Sequence, residues 1–170
     1  MKHLFSFFML CMIATTSFAQ KCKEIIDPIT NEKKIEFLYA EPYGFGNLQY
    51  EIKNSTITLT KQFYYSGAIN TIASAGLEVF FKLENGEVVK LKTNKESSPK
   101  MYAGMGITTG YNFTFSLSKE DLGKFAASPL ILIRVPKITE EGYYDLDKKN
   151  LTVKKSKKAL MKGAACMGTF

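Results

Sequence analysis

The sequence has no tryptophan and a single histidine, His3. That histidine lies in a segment read below as a removable leader. Without it the chain carries no imidazole, which excludes Ser-His-Asp and Cys-His catalysis, zinc sites built on histidine, and histidine pH switches. Arginine also occurs once, as Arg134, inside an apolar segment where burial is expected. A chain that is basic through lysine lacks the planar fork that grips phosphates bidentately, so specific nucleic-acid recognition is not expected. Cysteine is scarce: Cys11, Cys22 and Cys166, with no Cys-x-x-Cys and hence no thiol redox motif. The apolar run Leu4–Thr15 is too short to span a bilayer comfortably.

What is present is ordinary globular material. Hydrophobic residues make up 45% and charged residues 23% of 170 residues, which suits one domain with a real core. Phe (13) and Tyr (9) supply all the aromatic packing. The net charge is +7.

The start of the chain reads as an address. Met1-Lys2-His3 is a short basic region, Leu4–Thr15 an apolar one, and Ser17-Phe18-Ala19 places small residues at a cleavage site before Gln20. Residues 1–19 are therefore expected to be a secretory signal cut after Ala19, and residues 20–170 a single β-rich domain. Leu10 before Cys11 and Lys21 before Cys22 do not form a lipobox. Cleavage removes Lys2, His3 and Cys11, leaving Cys22 and Cys166. Two cysteines in an exported chain point to a disulfide between the chain ends, in a periplasmic or extracellular location.

The clearest element is a hairpin, Leu77–Leu83 and Glu87–Lys92 around Glu84-Asn85-Gly86. A three-residue loop with Gly86 left-handed pairs Phe81 with Val89 and Val79 with Leu91 on one face, and Glu78 with Lys92 and Phe80 with Lys90 on the other. A two-residue loop mixes lysine into the apolar face, and a one-residue slip reverses what is buried. Lys33–Tyr39, Leu48–Ile52 and Thr56–Thr60 alternate as half-wet strands, with Asp27–Glu32 and Asn54-Ser55 as turns. Ser66–Gly76 fits either a loop or a short helix. Thr93–Gly110 reads as a long, mobile, glycine-rich loop. Asn112–Leu117 is a strand, and Ser118 caps a short helix reaching about Ala127, with Glu120 and Asp121 in its first turn. Leu130–Val135 reads as a central strand buried on both faces. Gly142–Leu146 is a weak strand, and Lys148–Met161 a terminal helix. The fold class is α+β, mostly β: an antiparallel sheet or sandwich with one short helix and a C-terminal helix.

Several of these segments together carry a likeness. Cys22 with Asp27-Pro28-Ile29-Thr30-Asn31-Glu32, the hairpin Lys82–Leu91, Leu117–Leu122, the Ser-Phe-Ala-Gln leader ending and the lysine-rich end closing on Cys166 form the pattern. It resembles small exported proteins of unknown function from the Bacteroidota. The resemblance implies a Gram-negative envelope or secreted location and carries no catalytic residues. Pro136–Gly142 departs from it, being irregular where such proteins have a turn and short strand.

Chemical motifs are few. Ser97-Ser98-Pro99-Lys100 matches Ser-x-x-Lys, but that pair needs a helix start with the lysine one turn on, and Pro99 sits badly there. Gly104–Gly110 leads into a strand, so it lacks the helix N-terminus of a phosphate loop. Asp145, Asp147 and Asn150 lack the glycine and closing glutamate of a calcium loop, with Lys148 and Lys149 opposing the ion. Adjacent Glu140 and Glu141 point apart in extended chain. Two features remain. One is the lysine cluster Lys148, Lys149, Lys154, Lys155, Lys157, Lys158 and Lys162, able to meet an anionic surface. The other is the aromatic loop containing Tyr43 and Phe45, a platform for a sugar or peptide, with Tyr64, Tyr65, Tyr143 and Tyr144 expected mostly in packing. The function expected is a non-catalytic exported binding or structural module, without cofactor or metal. Its partner is an envelope protein, a glycan or an anionic surface. The alternatives are polyanion or membrane-surface binding through the lysines and, more remotely, a hydrolase using Ser97 and Lys100.

Overall fold

The computed structural model describes residues 22–40, 47–104 and 106–170. In chain order they form β1 (Lys23–Ile26), β2 (Lys33–Tyr39), β3 (Leu48–Lys53), β4 (Thr56–Ser66), β5 (Glu78–Leu83), β6 (Val88–Lys92), β7 (Lys100–Ala103), β8 (Ile107–Leu117), α1 (Lys119–Ala127), β9 (Leu130–Pro136), β10 (Tyr143–Asp147) and α2 (Leu151–Met167). The strands make a six-stranded sheet, β1-β2-β3-β4-β8-β7, and a four-stranded one, β10-β9-β5-β6. Every pairing is antiparallel.

Local chemistry dictates much of this. The β5–β6 hairpin takes the register expected from its apolar face: Phe81 opposes Val89, Val79 opposes Leu91 and Glu78 opposes Lys92. Leu83 N–H bonds to Glu87 O at 2.9 Å, closing a three-residue loop in which Gly86 has φ +91°. Between β3 and β4, Asn54 (φ 49°) and Ser55 (φ 62°) both turn left-handed, as a twisted two-residue hairpin loop demands. Ser118 and Asp121 form a reciprocal capping box at the start of α1.

The core lies between the sheets and under the helices. Phe81 joins three elements, its ring 5.9 Å from Phe115 of β8 and 5.4 Å from Phe125 of α1, edge-on to both. Such pairs add about 0.5–1.5 kcal/mol beyond area burial. On β4 the residues Leu59, Lys61, Phe63 and Tyr65 turn inward, and Lys61 is fully buried with its ammonium 5.4 Å from the Phe63 ring centroid. The helix α2 rests on β2 and β3: Tyr50 Oη donates to Leu160 O at 3.1 Å, and Gly163 lies against the Tyr50 and Phe37 rings. A disulfide between Cys22 and Cys166 joins the start of β1 to the last turn of α2, with Cα atoms 6.0 Å apart.

The structure corrects some of these expectations and settles others. Thr93–Gly110 is not one long loop, because β7 and the start of β8 lie within it. All four residues of β7 are exposed, so no alternation marked it. The strand β1 went unread for the same reason. Of the two readings left open for Ser66–Gly76 the structure takes the loop, with Ala73 bridging to Ser97. Arg134 is exposed: Ile133 and Val135 turn into the core, which sends Arg134 outward to a bidentate pair with Asp145 at 2.6 and 2.7 Å. The strand β9 is central in its sheet, but Ile131 and Leu132 stay half-buried and only one face is fully covered. The terminal helix is shifted to Leu151–Met167, leaving Lys148 and Lys149 in the turn before it.

Candidate functional site

The helix α2 sorts its residues by period. Thr152, Val153, Ser156, Ala159, Leu160, Gly163, Ala164 and Met167 are buried against the sheets and α1. The opposite strip carries Lys154, Lys155, Lys158 and Lys162, all exposed, and Lys148 and Lys149 are exposed just ahead of the helix. Lys157 stands apart, half-buried on the flank with its ammonium 3.9 Å from a Glu84 carboxylate oxygen. The helix contains no aspartate or glutamate.

That strip works against the helix that bears it. Lys154, Lys158 and Lys162 follow one another at four-residue intervals, where like charges cost about 0.2–0.5 kcal/mol per pair. Cations in and before the first turn also oppose the positive end of the helix dipole. By contrast, α1 offsets Lys119 at its start with Glu120 and Asp121 in the same first turn and carries Lys124 in its last. So α2 is held as a helix by its buried face, the Asn150 cap (Asn150 Oδ1 accepts from Thr152 N at 2.9 Å) and the disulfide. Its outer face carries lysines and no acidic residue of the helix itself.

Beside this strip an apolar cleft of about 500 Å³ opens between α1, the end of α2 and the β3–β4 turn. Ile52 and Ile57, cross-strand partners, form one wall. Leu122 and Ala126 form another, with Met167 and Phe170 across from them and Lys119 the charged residue of the lining. These residues come from three separated segments, so no local pattern in the sequence announced the cleft.

A second arrangement missed in the sequence lies on the outer face of the six-stranded sheet. Gln62 is buried beneath two tyrosines, donating to Tyr102 Oη at 2.9 Å and accepting from Tyr64 Oη at 2.8 Å. Both rings close over Gly110, where a Cβ would lie 2.8 Å from Tyr102 and 3.3 Å from Tyr64. The alternation Thr58, Thr60, Gln62, Tyr64 was the available signal.

The other sequence candidates are distributed as follows. Tyr43 and Phe45 lie outside the described residues. Tyr65 is buried and donates to Pro136 O at 3.0 Å, while Tyr143 packs on Phe80 and Tyr144 on Tyr65. Ser97 is buried in a bridge to Ala73 and accepts from Asn112 N at 3.0 Å, whereas Lys100 opens β7. The chain between them is extended, so the one-turn helical spacing of a Ser-x-x-Lys pair is not formed. Asp147 accepts from the Lys149 and Asn150 amides, shaping the turn into α2. Among the described residues no cluster of three histidine, cysteine or acidic side chains stands ready for a metal ion, and no helix is long and apolar enough to cross a membrane.

Among the described residues, the carboxyls with displaced titration lie at the surface. Hydrogen bonds from Lys90 and then Lys92 hold Glu78 below the ordinary glutamate range, and Arg134 does the same for Asp145. The Thr30 and Ile29 amides lower Asp27. A depressed folded-state pKa contributes stability above the unfolded value and loses it as pH falls through the folded one. His3 is the sole imidazole, and apart from it no side chain of ordinary pKa titrates near neutrality. The melting temperature is expected to stay level between about pH 5.5 and 8.5 and to fall only below about pH 4. Thermal scans by circular dichroism across that range test this, and a midpoint sloping through neutrality would contradict it.

No family model, curated protein or solved structure matches the chain. Function is therefore read from the chemistry of these surfaces.

Proposed function

We propose that this protein is an exported, non-catalytic binding module that works at an anionic lipid surface of the cell envelope, engaging it through the lysine face of α2. The carrying observation is the helix that breaks its own electrostatic rules: four exposed lysines on one strip, two more at its entrance, and no acid along its length. Local conflicts of this kind concentrate where function overrides stability. An anionic surface removes both penalties, since it screens the lysines from one another and from the helix dipole. The leader-like start and the Cys22–Cys166 bond support export to an oxidising compartment. Lysine suits the task because diffuse attraction to many headgroups needs charge rather than a fixed fork.

Each lysine near such a surface contributes about 1 kcal/mol, so Lys154, Lys155, Lys158 and Lys162→Gln together should weaken vesicle binding by at least about 100-fold. Wild-type binding to mixed phosphatidylglycerol and phosphatidylethanolamine vesicles should weaken steeply as salt rises from about 50 to 200 mM. The substituted protein should melt at the same temperature or slightly higher, because like-charge repulsion along α2 is relieved. Equal vesicle binding by both proteins, or preferential binding of wild type to duplex DNA, would sink the reading.

A further inference from the structure

We infer that the cleft between α1, the end of α2 and the β3–β4 turn is a binding site for the acyl chain of a medium-chain fatty acid, with Lys119 meeting the carboxylate. The inference rests on the surface-docking reading, since it supplies the class of molecule the module would meet at such a surface.

Three observations carry it. The volume, about 500 Å³, falls in the range of roughly 300–1,000 Å³ usual for ligand pockets. Its walls are mostly apolar, with Ile52, Ile57, Leu122, Ala126 and Met167 outweighing the hydroxyls of Ser55 and Thr169, and Lys119 is the charged side chain of the lining. An apolar chain ending in an anion matches both. Charge continues outside the cleft, for Lys162 stands three residues before the cleft residue Ala165 on the same exposed strip.

The third observation is Gly123, at the middle of α1. An interior helical glycine costs about 1 kcal/mol relative to alanine. The fold supplies no steric reason for it, because a Cβ at Gly123 would meet nothing within 4 Å. Gly123 lines the cleft, so any larger side chain there would project into the space a ligand needs. Gly163 is the internal contrast, since its missing side chain is accounted for by Tyr50 and Phe37. A bound chain gives Gly123 the reason that the polypeptide does not.

The test is a titration of the full exported chain with octanoate, decanoate and dodecanoate below their micelle thresholds, followed by calorimetry and by the methyl resonances of Ile52, Ile57, Leu122 and Met167. Saturable binding is expected to tighten roughly three- to fourfold per added methylene, and those methyl groups are expected to shift. Dodecanol should bind more weakly than dodecanoate, and Lys119→Gln should erase that difference. Gly123→Leu should abolish dodecanoate binding while leaving vesicle docking unchanged. The four-lysine glutamine variant should lose docking and retain dodecanoate. Absence of saturable dodecanoate binding to wild type, or binding that leaves the cleft methyl groups unmoved, overturns the cleft assignment without touching the docking reading. Should Gly123→Leu fail to fold, the wild-type methyl shifts and the Lys119→Gln comparison decide alone.

Discussion

Opening the Cys22–Cys166 disulfide is expected to destabilise the protein by about 2–5 kcal/mol. The bond spans 144 residues of sequence, tying the residue before β1 to the last turn of α2. In the chain-entropy account a loop of that size restricts the unfolded state by roughly 4–5 kcal/mol, and native strain or residual structure lowers what is measured. The geometry says where the loss should appear first. All four residues of β1 are exposed, and among the described residues the strand is an edge paired with β2 alone, so the tether is a main part of what holds it. The C-terminal turn of α2 is tied by the same bond, whereas β4 and β8 are joined by ten residue pairs inside the large sheet. Urea melts with and without reductant, and of a Cys22→Ala/Cys166→Ala variant, should show the lowered midpoint. Hydrogen exchange should then report early opening of β1 and the end of α2 while β4 and β8 stay protected. A midpoint unmoved by reduction, with both thiols shown to be free, would contradict this.

The disulfide also illustrates which features could be read before any coordinates. With residues 1–19 read as a leader, only Cys22 and Cys166 remained to pair, and the structure joins them. The β5–β6 register was legible because only one alignment puts Val79, Phe81, Val89 and Leu91 on a common face, and all four are buried. Ser118 announced α1 because capping is local chemistry. Edge strands escaped: β1 and β7 are exposed throughout, and a strand with no buried side carries no period of two. Arg134 was misplaced because a run of aliphatic residues looks uniformly buried, although the pleat still turns alternate positions outward.

The site was legible by halves. Seven lysines could be gathered from the sequence, but only the helical phase of α2 separates Lys154, Lys155, Lys158 and Lys162 from Lys157, which leans toward Glu84. The cleft was beyond sequence reasoning, since Ile52, Leu122 and Met167 become neighbours only through the packing of three distant elements. The two candidate surfaces are neighbours on α2: Ala165, an exposed residue that lines the cleft, follows Lys162 by three residues.

Alanine at Gly163 and alanine at Gly123 are expected to change stability in opposite directions, although both glycines sit inside helices. Propensity favours alanine by about 0.8–1 kcal/mol at either site. At Gly123 nothing opposes that gain, because the added methyl meets open space, so Gly123→Ala should stabilise by about 0.5–1 kcal/mol. At Gly163 the added carbon would lie 2.6 Å from Tyr50 Cε2 and 2.8 Å from Phe37 Cδ1, and both rings are fully buried. Relief requires lifting α2 from β2 and β3. That motion strains the hydrogen bond from Tyr50 Oη to Leu160 O, one turn earlier on the helix, and pulls against Cys166, three residues later. Overpacking of this kind costs about 1–3 kcal/mol, enough to reverse the propensity gain, and Gly163→Val should cost more. Urea midpoints at unchanged m-value measure both effects. If Gly163→Ala stabilised as Gly123→Ala does, α2 could not lie as close to Tyr50 as described, and the fixed outer face that presents the lysines would lose its foundation.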